Sequence, residues 1–468
     1  MIRVTTSLLL LSSLALAQPQ NSLSIYQDDF ALVKDRRTVE LTEGVSELRL
    51  TDLPATLEPP SVRVVAPDNP EFKVVEQNFE FDLVGAARLM QKYVGHEVRV
   101  ITNQGEMIEG TLLVAENDRI VLKSNGGLKI LTLKTVQSVR LDKLPENLVI
   151  KPTLVWQLYS PAAGPQAIQL SYIARQIGWN ADYNVVLNED ETRIDLTGLV
   201  TIKNESGKTY EQADVKLIAG IGRTDQPATF LQGIEYLRAV EEIKPTGQRG
   251  DETAEVFGDY RLYRLDRPTT VLDNQVKQIT LITAQNVPVR KTYLYDGGRV
   301  RFVPGRVYEE PGFGREENTK VNVLLAIRNT ADDNLGVALP GGKVRVFKRD
   351  VDQSLEFVGE DVIPGTAVDE RILVYVGDAF DVTGSRTQTD FQRPAATVIE
   401  EAFEIVLKNH KQEPIEVTVI EKLYRWSDWE MLESSHDYTK LDSRTIKFQV
   451  PVEADGKATV TYRIRYTW

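Results

Sequence analysis

The stretch RIDLTGLVTIKN, residues 193–204, alternates apolar and polar side chains with a period of two. Its apolar face consists of Ile194, Leu196, Val200 and Ile202. Such alternation is typical of a β-strand that buries one face, because successive side chains of a strand point to opposite sides. The stretch therefore predicts a half-buried strand.

The same alternation recurs along the chain, at residues 321–327, 403–407, 415–419 and 460–468. The turn signals between such runs include Asn125-Gly126-Gly127, Asp296-Gly297-Gly298 and Pro340-Gly341-Gly342. Many short strands joined by polar turns are typical of sandwiches and barrels. The 468 residues are enough for about three domains. We expect an all-β, multi-domain protein built of antiparallel β-sandwich modules, with little helix.

A three-residue echo closes three of the alternating runs. Its copies are Ile202-Lys203-Asn204, Ile327-Arg328-Asn329 and Leu407-Lys408-Asn409. Asparagine tolerates the left-handed backbone conformation that a strand-ending turn often needs. The echo either marks repeated sandwich modules or is a coincidence in a chain rich in strands.

One helix is predicted, from about Leu83 to Tyr93, because apolar residues there recur at helical spacing until Gly95. Five strand-like pieces follow: His96–Thr102, Glu106–Ala115, Arg119–Ser124, Leu128–Leu133 and Val136–Leu141. This plan, with Val98-x-Val100, Gly105, Gly110-x-Leu112 and Ile120-x-Leu122, resembles the Sm-like small barrel, an SH3-like fold. The resemblance implies a small barrel insert that serves in packing or subunit contact.

Composition and charge exclude several classes of function. Lys plus Arg is 55 and Asp plus Glu is 68, so the formal charge is −13. An acidic surface repels phosphate backbones, so nucleic acid is not expected as a partner. The chain has no cysteine, which removes disulfides, thiolate nucleophiles and Cys-ligated metals. No G-x-S-x-G serine elbow occurs either.

The first residues predict export. Arg3 precedes an apolar stretch from Leu8 to Leu16, and Ala15-Leu16-Ala17 fits a signal-peptide cleavage site. No later stretch approaches the ~18 apolar residues of a membrane-spanning helix. We expect an extracytoplasmic protein after cleavage near Ala17, in the periplasm, the outer envelope or at the cell surface, with no transmembrane span in the mature chain.

Only three histidines, His96, His410 and His436, could supply imidazole to a metal. They show no H-x-H or H-x-x-x-H pairing, so they predict a copper site only if they converge in space. That hypothesis gives a copper-dependent redox enzyme of superoxide-dismutase type. The other reading is three ordinary surface or hydrogen-bonding histidines. No catalytic residue and no other cofactor is predicted.

Two further sets of side chains admit a binding role or a plain structural one. Trp426 and Trp429 could contact cell-wall carbohydrate, although core packing is the simpler reading. Glu309-Glu310 and Glu400-Glu401 are predicted as solvated charge.

A set of motifs spans most of the chain. It comprises Leu48-x-Leu50-x-x-Leu53-Pro54, Trp156, Leu170-Ser171-Tyr172, Trp179-x-Ala181-x-Tyr183, Asp195-Leu196-x-Gly198, Leu217-x-Ala219-Gly220, Val419-x-Glu421, Asp428-Trp429-Glu430 and Ser434-Ser435-His436. The set resembles the mucoidy-inhibitor-like envelope family, whose shared carboxy-terminal domain is the domain of unknown function 4139. The resemblance implies a β-rich fold and an envelope location. Typical members carry a coiled coil where this chain has the Sm-like insert.

The sequence thus predicts five segments. They are a signal peptide (1–17), an amino-terminal β domain (18–82), the helix and small barrel (83–145), a β domain (146–325) and a carboxy-terminal β-sandwich (326–468). Our first functional hypothesis is a non-enzymatic, exported cell-envelope protein that packs against other envelope or surface-layer proteins. The copper enzyme and a carbohydrate-binding module are the alternatives.

Overall fold

The computed structural model describes residues 21–81, 86–116, 118–141, 149, 151–220, 254–298, 303, 305–315 and 318–468. These residues are almost entirely β, with 66% in strands and 3% in helix, which confirms the predicted all-β class. The predicted signal peptide lies outside the described residues. No helix in the described part of the chain has the length and apolar character needed to cross a membrane.

The strands of the first half are β1 (Asn21–Tyr26), β2 (Phe30–Leu41), β3 (Gly44–Leu50), β4 (Arg63–Val65), β5 (Lys73–Glu80), β6 (Glu97–Thr102), β7 (Met107–Ala115), β8 (Arg119–Ser124), β9 (Gly127–Thr132), β10 (Val136–Arg140), β11 (Thr153–Ser160), β12 (Gly164–Arg175), β13 (Ile177–Leu187), β14 (Arg193–Asn204) and β15 (Tyr210–Ala219). Those of the second half are β16 (Glu255–Phe257), β17 (Tyr260–Arg264), β18 (Thr269–Val271), β19 (Gln275–Asp296), β20 (Lys320–Arg328), β21 (Gly342–Arg349), β22 (Leu355–Ile363), β23 (Arg371–Ala395), β24 (Val398–Asn409), β25 (Ile415–Lys422), β26 (Trp429–Ser434), β27 (Tyr438–Asp442), β28 (Thr445–Val452) and β29 (Gly456–Thr467). The one α-helix among the described residues is α1 (Ala86–Lys92), and 3-10 turns lie at Pro59–Ser61, Leu133–Thr135 and Ala331–Asp333.

The chain forms two compact units. Unit 1 comprises Met1–Trp179, Ile202–Leu217 and Leu265–Lys277, and unit 2 comprises Asn180–Thr201, Ile218–Arg264 and Gln278–Trp468. Each unit therefore collects segments that are far apart in sequence. The predicted domain boundaries after residues 82, 145 and 325 stay predictions.

The main sheet of unit 1 contains strands from both ends of its sequence. Strands β15, β1, β2, β12 and β4 lie side by side in that order, and β2 pairs antiparallel with both β1 and β12. Leu23, Ile25, Ala31 and Val33 are fully buried along β1 and β2. A second, three-stranded antiparallel sheet has the order β3, β11, β5.

A separate five-stranded sheet follows α1, with the order β10-β6-β7-β8-β9 and antiparallel pairing throughout. The predicted strand ends differ from the observed ones by no more than one residue. Met90 and Tyr93, from the predicted helix face, are buried in its core; Leu83 lies outside the described residues. A side chain at Gly110 would place its Cβ 2.5 Å from the Lys123 carbonyl oxygen, so the close approach of β7 and β8 requires glycine. Closure of this sheet into a barrel stays a prediction.

The large sheet of unit 2 has the order β22-β21-β13-β14-β19-β20-β23-β24-β29-β26, with β25, β27 and β28 joined through β19. Its carboxy-terminal core packs alternate residues of the last strands against one another. The largest contributors include Phe403, Ile405, Leu407, Val417, Val419, Phe448, Val450, Val460, Tyr462, Ile464 and Tyr466. The predicted alternation at 403–407, 415–419 and 460–468 therefore matches the observed core.

Two of the pairings in the described part of the chain are parallel, so the large sheet of unit 2 is mixed although most of its strands are antiparallel. β13 pairs parallel with β21, and β19 pairs parallel with β25. A half-buried strand has the same two-residue period in either orientation, and parallel partners need long crossovers. The alternation pattern therefore could not reveal these partners.

Strand β20 is buried on both faces, whereas its sequence pattern predicted one buried face. Val321, Leu325 and Ile327 are buried as expected, and Leu324 and Ala326 are buried on the opposite side. The second set belongs to a separate small core. A strand in the middle of a covered sheet is buried on both faces.

The echo asparagines Asn204, Asn329 and Asn409 are fully buried, and none has a positive φ, so the left-handed explanation was wrong. In each, Nδ2 donates to at least two main-chain carbonyl oxygens, while Oδ1 accepts a main-chain N–H. The side chain, not the backbone conformation, therefore fixes each strand end. We call these residues the asparagine clamps.

Candidate functional site

The three histidines proposed as copper ligands lie in different surroundings. His96 is exposed at the start of the five-stranded sheet in unit 1. In unit 2, His410 is 60% exposed with Nδ1 4.0 Å from Asp455 Oδ1, and His436 Nδ1 lies 2.8 Å from Ser435 Oγ. Among the described residues, no group of three His, Asp or Glu side chains could hold a metal ion. Copper binding by these histidines stays a prediction.

Trp426 and Trp429, the candidates for carbohydrate contact, are half-buried against the carboxy-terminal core. The Arg444 guanidinium lies 5.7 Å from the ring centroid of Trp426, and Lys440 Nζ lies 4.8 Å from that of Trp429. Trp429 Nε1 donates to the Ser443 carbonyl oxygen at 2.8 Å. Side chains of the protein itself therefore occupy one face of each ring, and carbohydrate contact stays a prediction.

The densest set of ionisable side chains lies inside the carboxy-terminal core of unit 2. We define the ionic core as Arg386, Glu401, Glu421, Arg425 and Tyr462, which are carried by β23, β24, β25, the segment after β25, and β29. All five are at most 5% exposed. Burying charge costs several kcal/mol per ion unless each ion is paired and hydrogen-bonded.

Arg386 and Glu421 form the first pair. Arg386 Nε lies 3.1 and 2.9 Å from the two carboxylate oxygens of Glu421. The Tyr462 hydroxyl donates to Glu421 Oε2 at 2.5 Å. The guanidinium also lies 3.8 Å from the ring centroid of Phe403, so the charge is stabilised by a carboxylate and by an aromatic face.

Arg425 and Glu401 form the second pair, with Arg425 Nε 2.7 Å from Glu401 Oε2. Gln388 Nε2 donates to the same oxygen at 3.0 Å. Arg425 Nη2 and Glu401 Oε1 are buried without a hydrogen-bond partner in the described part of the chain, as is the Tyr424 hydroxyl. Such groups are rare in native proteins, because each costs about 1–3 kcal/mol.

The shifts in pKa follow from burial and pairing. Burial alone would lower the pKa of Arg386, but the adjacent Glu421 carboxylate reverses this and raises it. Burial raises the pKa of Glu421 above its usual range, although Arg386 and Tyr462 oppose that rise. Burial, reinforced by the Glu421 charge, also raises the pKa of Tyr462. The Tyr462 hydroxyl therefore keeps its proton at physiological pH and donates a hydrogen bond to the Glu421 carboxylate.

The segment 305–315, which we call the strap, is held directly by the two arginines. Arg425 Nη1 donates to the carbonyl oxygens of Tyr308 and Glu310, at 2.6 and 3.1 Å. Arg386 Nη1 donates to the carbonyl oxygen of Gly314 at 2.9 Å. Each arginine therefore joins a buried glutamate on one side to the main chain of the strap on the other.

The strap also packs through aromatic rings. Tyr308 and Phe313 stack with centroids 4.1 Å apart, and Phe313 meets Tyr424 edge-on at 5.5 Å. Gly314 has a φ of +80°, and a Cβ there would lie 2.5 Å from the Tyr424 hydroxyl oxygen. Glycine is therefore required at this position both by backbone conformation and by space.

The prediction of Glu400-Glu401 as solvated charge was wrong for Glu401, which is fully buried. Neighbouring side chains of a strand point to opposite faces, so Glu400 pairs with Arg465 at 2.8 Å while Glu401 points inward. The overlooked signal is the phase of the alternation. Glu401 shares its parity with Phe403 and the other inward residues of β24, as Glu421 does with those of β25.

The ionic core connects separate segments of unit 2 and is almost fully buried. The side chains of Arg425, Glu401 and Glu421 are fully buried, and the strap accepts hydrogen bonds from the Nη1 group of each arginine. These contacts join four strands, the segment after β25 and the strap. The chemistry that the site supports is therefore positional, through ion pairs and main-chain hydrogen bonds.

Comparison with known protein families gives a match over the carboxy-terminal part of the chain. The family described as Domain of unknown function (DUF4139) matches residues 168–468, which include the ionic core, the strap and all three asparagine clamps. No curated protein matches the chain.

Proposed function

The chain belongs to the DUF4139 family, and from this premise we propose a non-enzymatic role: an exported cell-envelope protein that packs against other envelope proteins. The observation that carries the proposal is an exposed apolar face on the five-stranded sheet, described below. The predicted signal peptide at 1–17 supports export, and the acidic composition favours protein partners over nucleic acid.

The exposed face runs across three neighbouring strands. We define the apolar stripe as Val114, Val121, Leu128 and Ile130. Ile130 pairs with Val121, and Val121 pairs with Val114, so these side chains share one side of the sheet. Leu128 and Ile130 are 67% and 69% exposed, and they lie on β9, an edge strand of the sheet. Exposed apolar edge strands are typical of protein contact sites.

The buried ionic core supports the same role from the other unit. Its charges stabilise a fixed arrangement of strands and are inaccessible to a substrate in this conformation. A protein whose task is to present surfaces to partners benefits from such internal fixation, because rigid surfaces lose less entropy on binding.

The test is the size and composition of the native assembly, measured after mild crosslinking of intact envelopes. We expect the wild-type protein to migrate in a complex with other envelope proteins. Ile130→Lys places a charge in the apolar stripe and should lower the amount of complex at least about tenfold, the effect of losing roughly 1.4 kcal/mol at an interface.

The matched control is Val351→Lys, which introduces the same charge at a valine that is 84% exposed and lies outside the apolar stripe. It should leave the complex intact. A free monomer with no crosslinked envelope protein would overturn the proposed function. Equal losses for both variants would remove the apolar stripe as its contact surface.

A further inference from the structure

We propose that the strap is a latch, which opens as one unit and closes again over the ionic core, and that Arg386 and Arg425 determine how often it opens. This inference concerns unit 2 alone and does not rest on the proposed function. It starts from the unusual way in which residues 305–315 are attached.

The strap forms no helix and no strand. The main-chain hydrogen bonds from Arg306 N to Val303 O and from Phe313 N to Glu310 O are local. Among the described residues, the strap's main chain is held to the rest of unit 2 by the three carbonyl oxygens that the two arginines bind. Segments with few anchoring hydrogen bonds open locally with a smaller free energy than the strands around them.

Among the described residues, the polar side-chain contacts that anchor the strap are exposed. Glu309 pairs with Arg393 at 2.8 Å, with both side chains more than 40% exposed, and Arg315 Nε donates to Gln388 Oε1 at 2.7 Å. Exposed pairs contribute little, typically 0–1 kcal/mol. The main apolar contact is made by Phe313, which stacks on Tyr308 within the strap and packs against Tyr424 and the carboxy-terminal core. The arginine–carbonyl bonds are therefore the principal polar restraint.

The closed strap also carries a cost. Arg425 Nη2, Glu401 Oε1 and the Tyr424 hydroxyl are buried without a partner in the described part of the chain. When the strap opens, water reaches these groups and satisfies them, which offsets part of the loss of the arginine–carbonyl bonds. These opposing contributions reduce the free-energy difference between the closed and the open strap.

Hydrogen–deuterium exchange of the folded, full-length protein tests the latch. Gly314→Ala adds a methyl group at φ +80°, against the Tyr424 hydroxyl, and leaves both ion pairs untouched. It should raise the exchange rate of the strap amides at least about tenfold, since a left-handed alanine is disfavoured by roughly 1–2 kcal/mol. Amides of β24 and β29 should keep their wild-type rates.

The matched control is Gly312→Ala, two residues away, where a Cβ meets no atom within 4 Å and the backbone has no positive φ. Its strap should exchange within about twofold of wild type. Arg425→Lys keeps the charge but loses the planar fork, so it should accelerate strap exchange as Gly314→Ala does.

Two results would overturn the proposal. One is a Gly314→Ala strap that exchanges at the wild-type rate. The other is a wild-type strap that exchanges at the same rate as β24 and β29, because the strap would then open only with the whole unit. If Arg425→Lys fails to fold, the two glycine variants still decide between these outcomes.

Discussion

At the scale of single residues, the three asparagine clamps give the sequence echo a structural role, because each fixes the end of a strand. Asn409 Nδ2 donates to the carbonyl oxygens of Glu413 and Glu453, at 2.9 and 3.0 Å, and Oδ1 accepts from Lys411 N at 3.0 Å. One buried amide thus closes the turn after β24 and ties it to the end of β28. Asn204 and Asn329 hold their strand ends in the same manner.

We expect Asn409→Ala to lower the free energy of unfolding by about 1–3 kcal/mol, because buried main-chain carbonyls lose their donor. Urea denaturation of purified variants measures the change. Gln412→Ala removes an exposed amide in the same turn and should stay within about 0.5 kcal/mol of wild type. Equal effects of the two substitutions would contradict the clamp.

At the scale of elements, glycines set how closely strands approach. A Cβ at Gly359 would lie 2.0 Å from the Val376 carbonyl oxygen, so β22 can lie against β23 only with glycine there. The neighbouring strand cannot yield easily, because the obstructing atom belongs to its main chain. The same reasoning applies to Gly110 between β7 and β8.

We predict that Gly359→Ala destabilises the protein by about 1–3 kcal/mol through overpacking. Gly365→Ala is the control, since its Cβ would meet nothing closer than 3.8 Å. Thermal unfolding followed by circular dichroism compares the two. A Gly359→Ala protein as stable as the control would show that β22 and β23 move apart at little cost.

At the scale of the whole molecule, the segment that matches the family does not coincide with a complete folded unit. The match begins at residue 168, yet β1 and β2 lie between β15 and β12 in the same sheet. Leu23, Ile25 and Val33 of these two strands are fully buried there. Burial of each such side chain contributes roughly 1.5–3 kcal/mol to the free energy of unfolding. The matched region therefore depends on strands that precede it.

In a fragment of residues 168–468, the segments that belong to unit 1 should not unfold cooperatively. Protease should therefore cleave this fragment within residues 202–217. Co-expression with residues 18–167 should restore protection, because the missing strands return to the sheet. Limited proteolysis with mass spectrometry reads both outcomes. A fully protected isolated fragment would contradict the dependence on β1 and β2.

The matched deletion removes residues 83–150 and joins the flanks with a short linker. Glu80 and Thr153 are paired neighbours on β5 and β11, so a tight connection can replace the insert. This variant also loses a long stretch of chain, but no strand of the main sheet. We expect it to keep the protease protection of the full-length protein.

Prediction from the sequence was most accurate where the structural signals are local. The five short strands after α1 were placed to within one residue, because each is bounded by its own turn signal. The ionic core was missed because Glu401 and Glu421 look like surface charge until their phase within the strand is compared with that of their apolar neighbours. Their partners, Arg425 and Arg386, come from other elements.

The amino-acid sequence by itself determined the all-β class, the apolar faces of the last strands and the helix with its five strands, since side-chain periodicity and turn residues act over a few neighbouring positions. Only the tertiary structure decided the parallel pairings, the position of β1 and β2 within the sheet, and the burial of two arginine–glutamate pairs beneath the strap. These features depend on contacts between residues far apart in the chain. Alternation with a period of two is the same whichever strand becomes the neighbour.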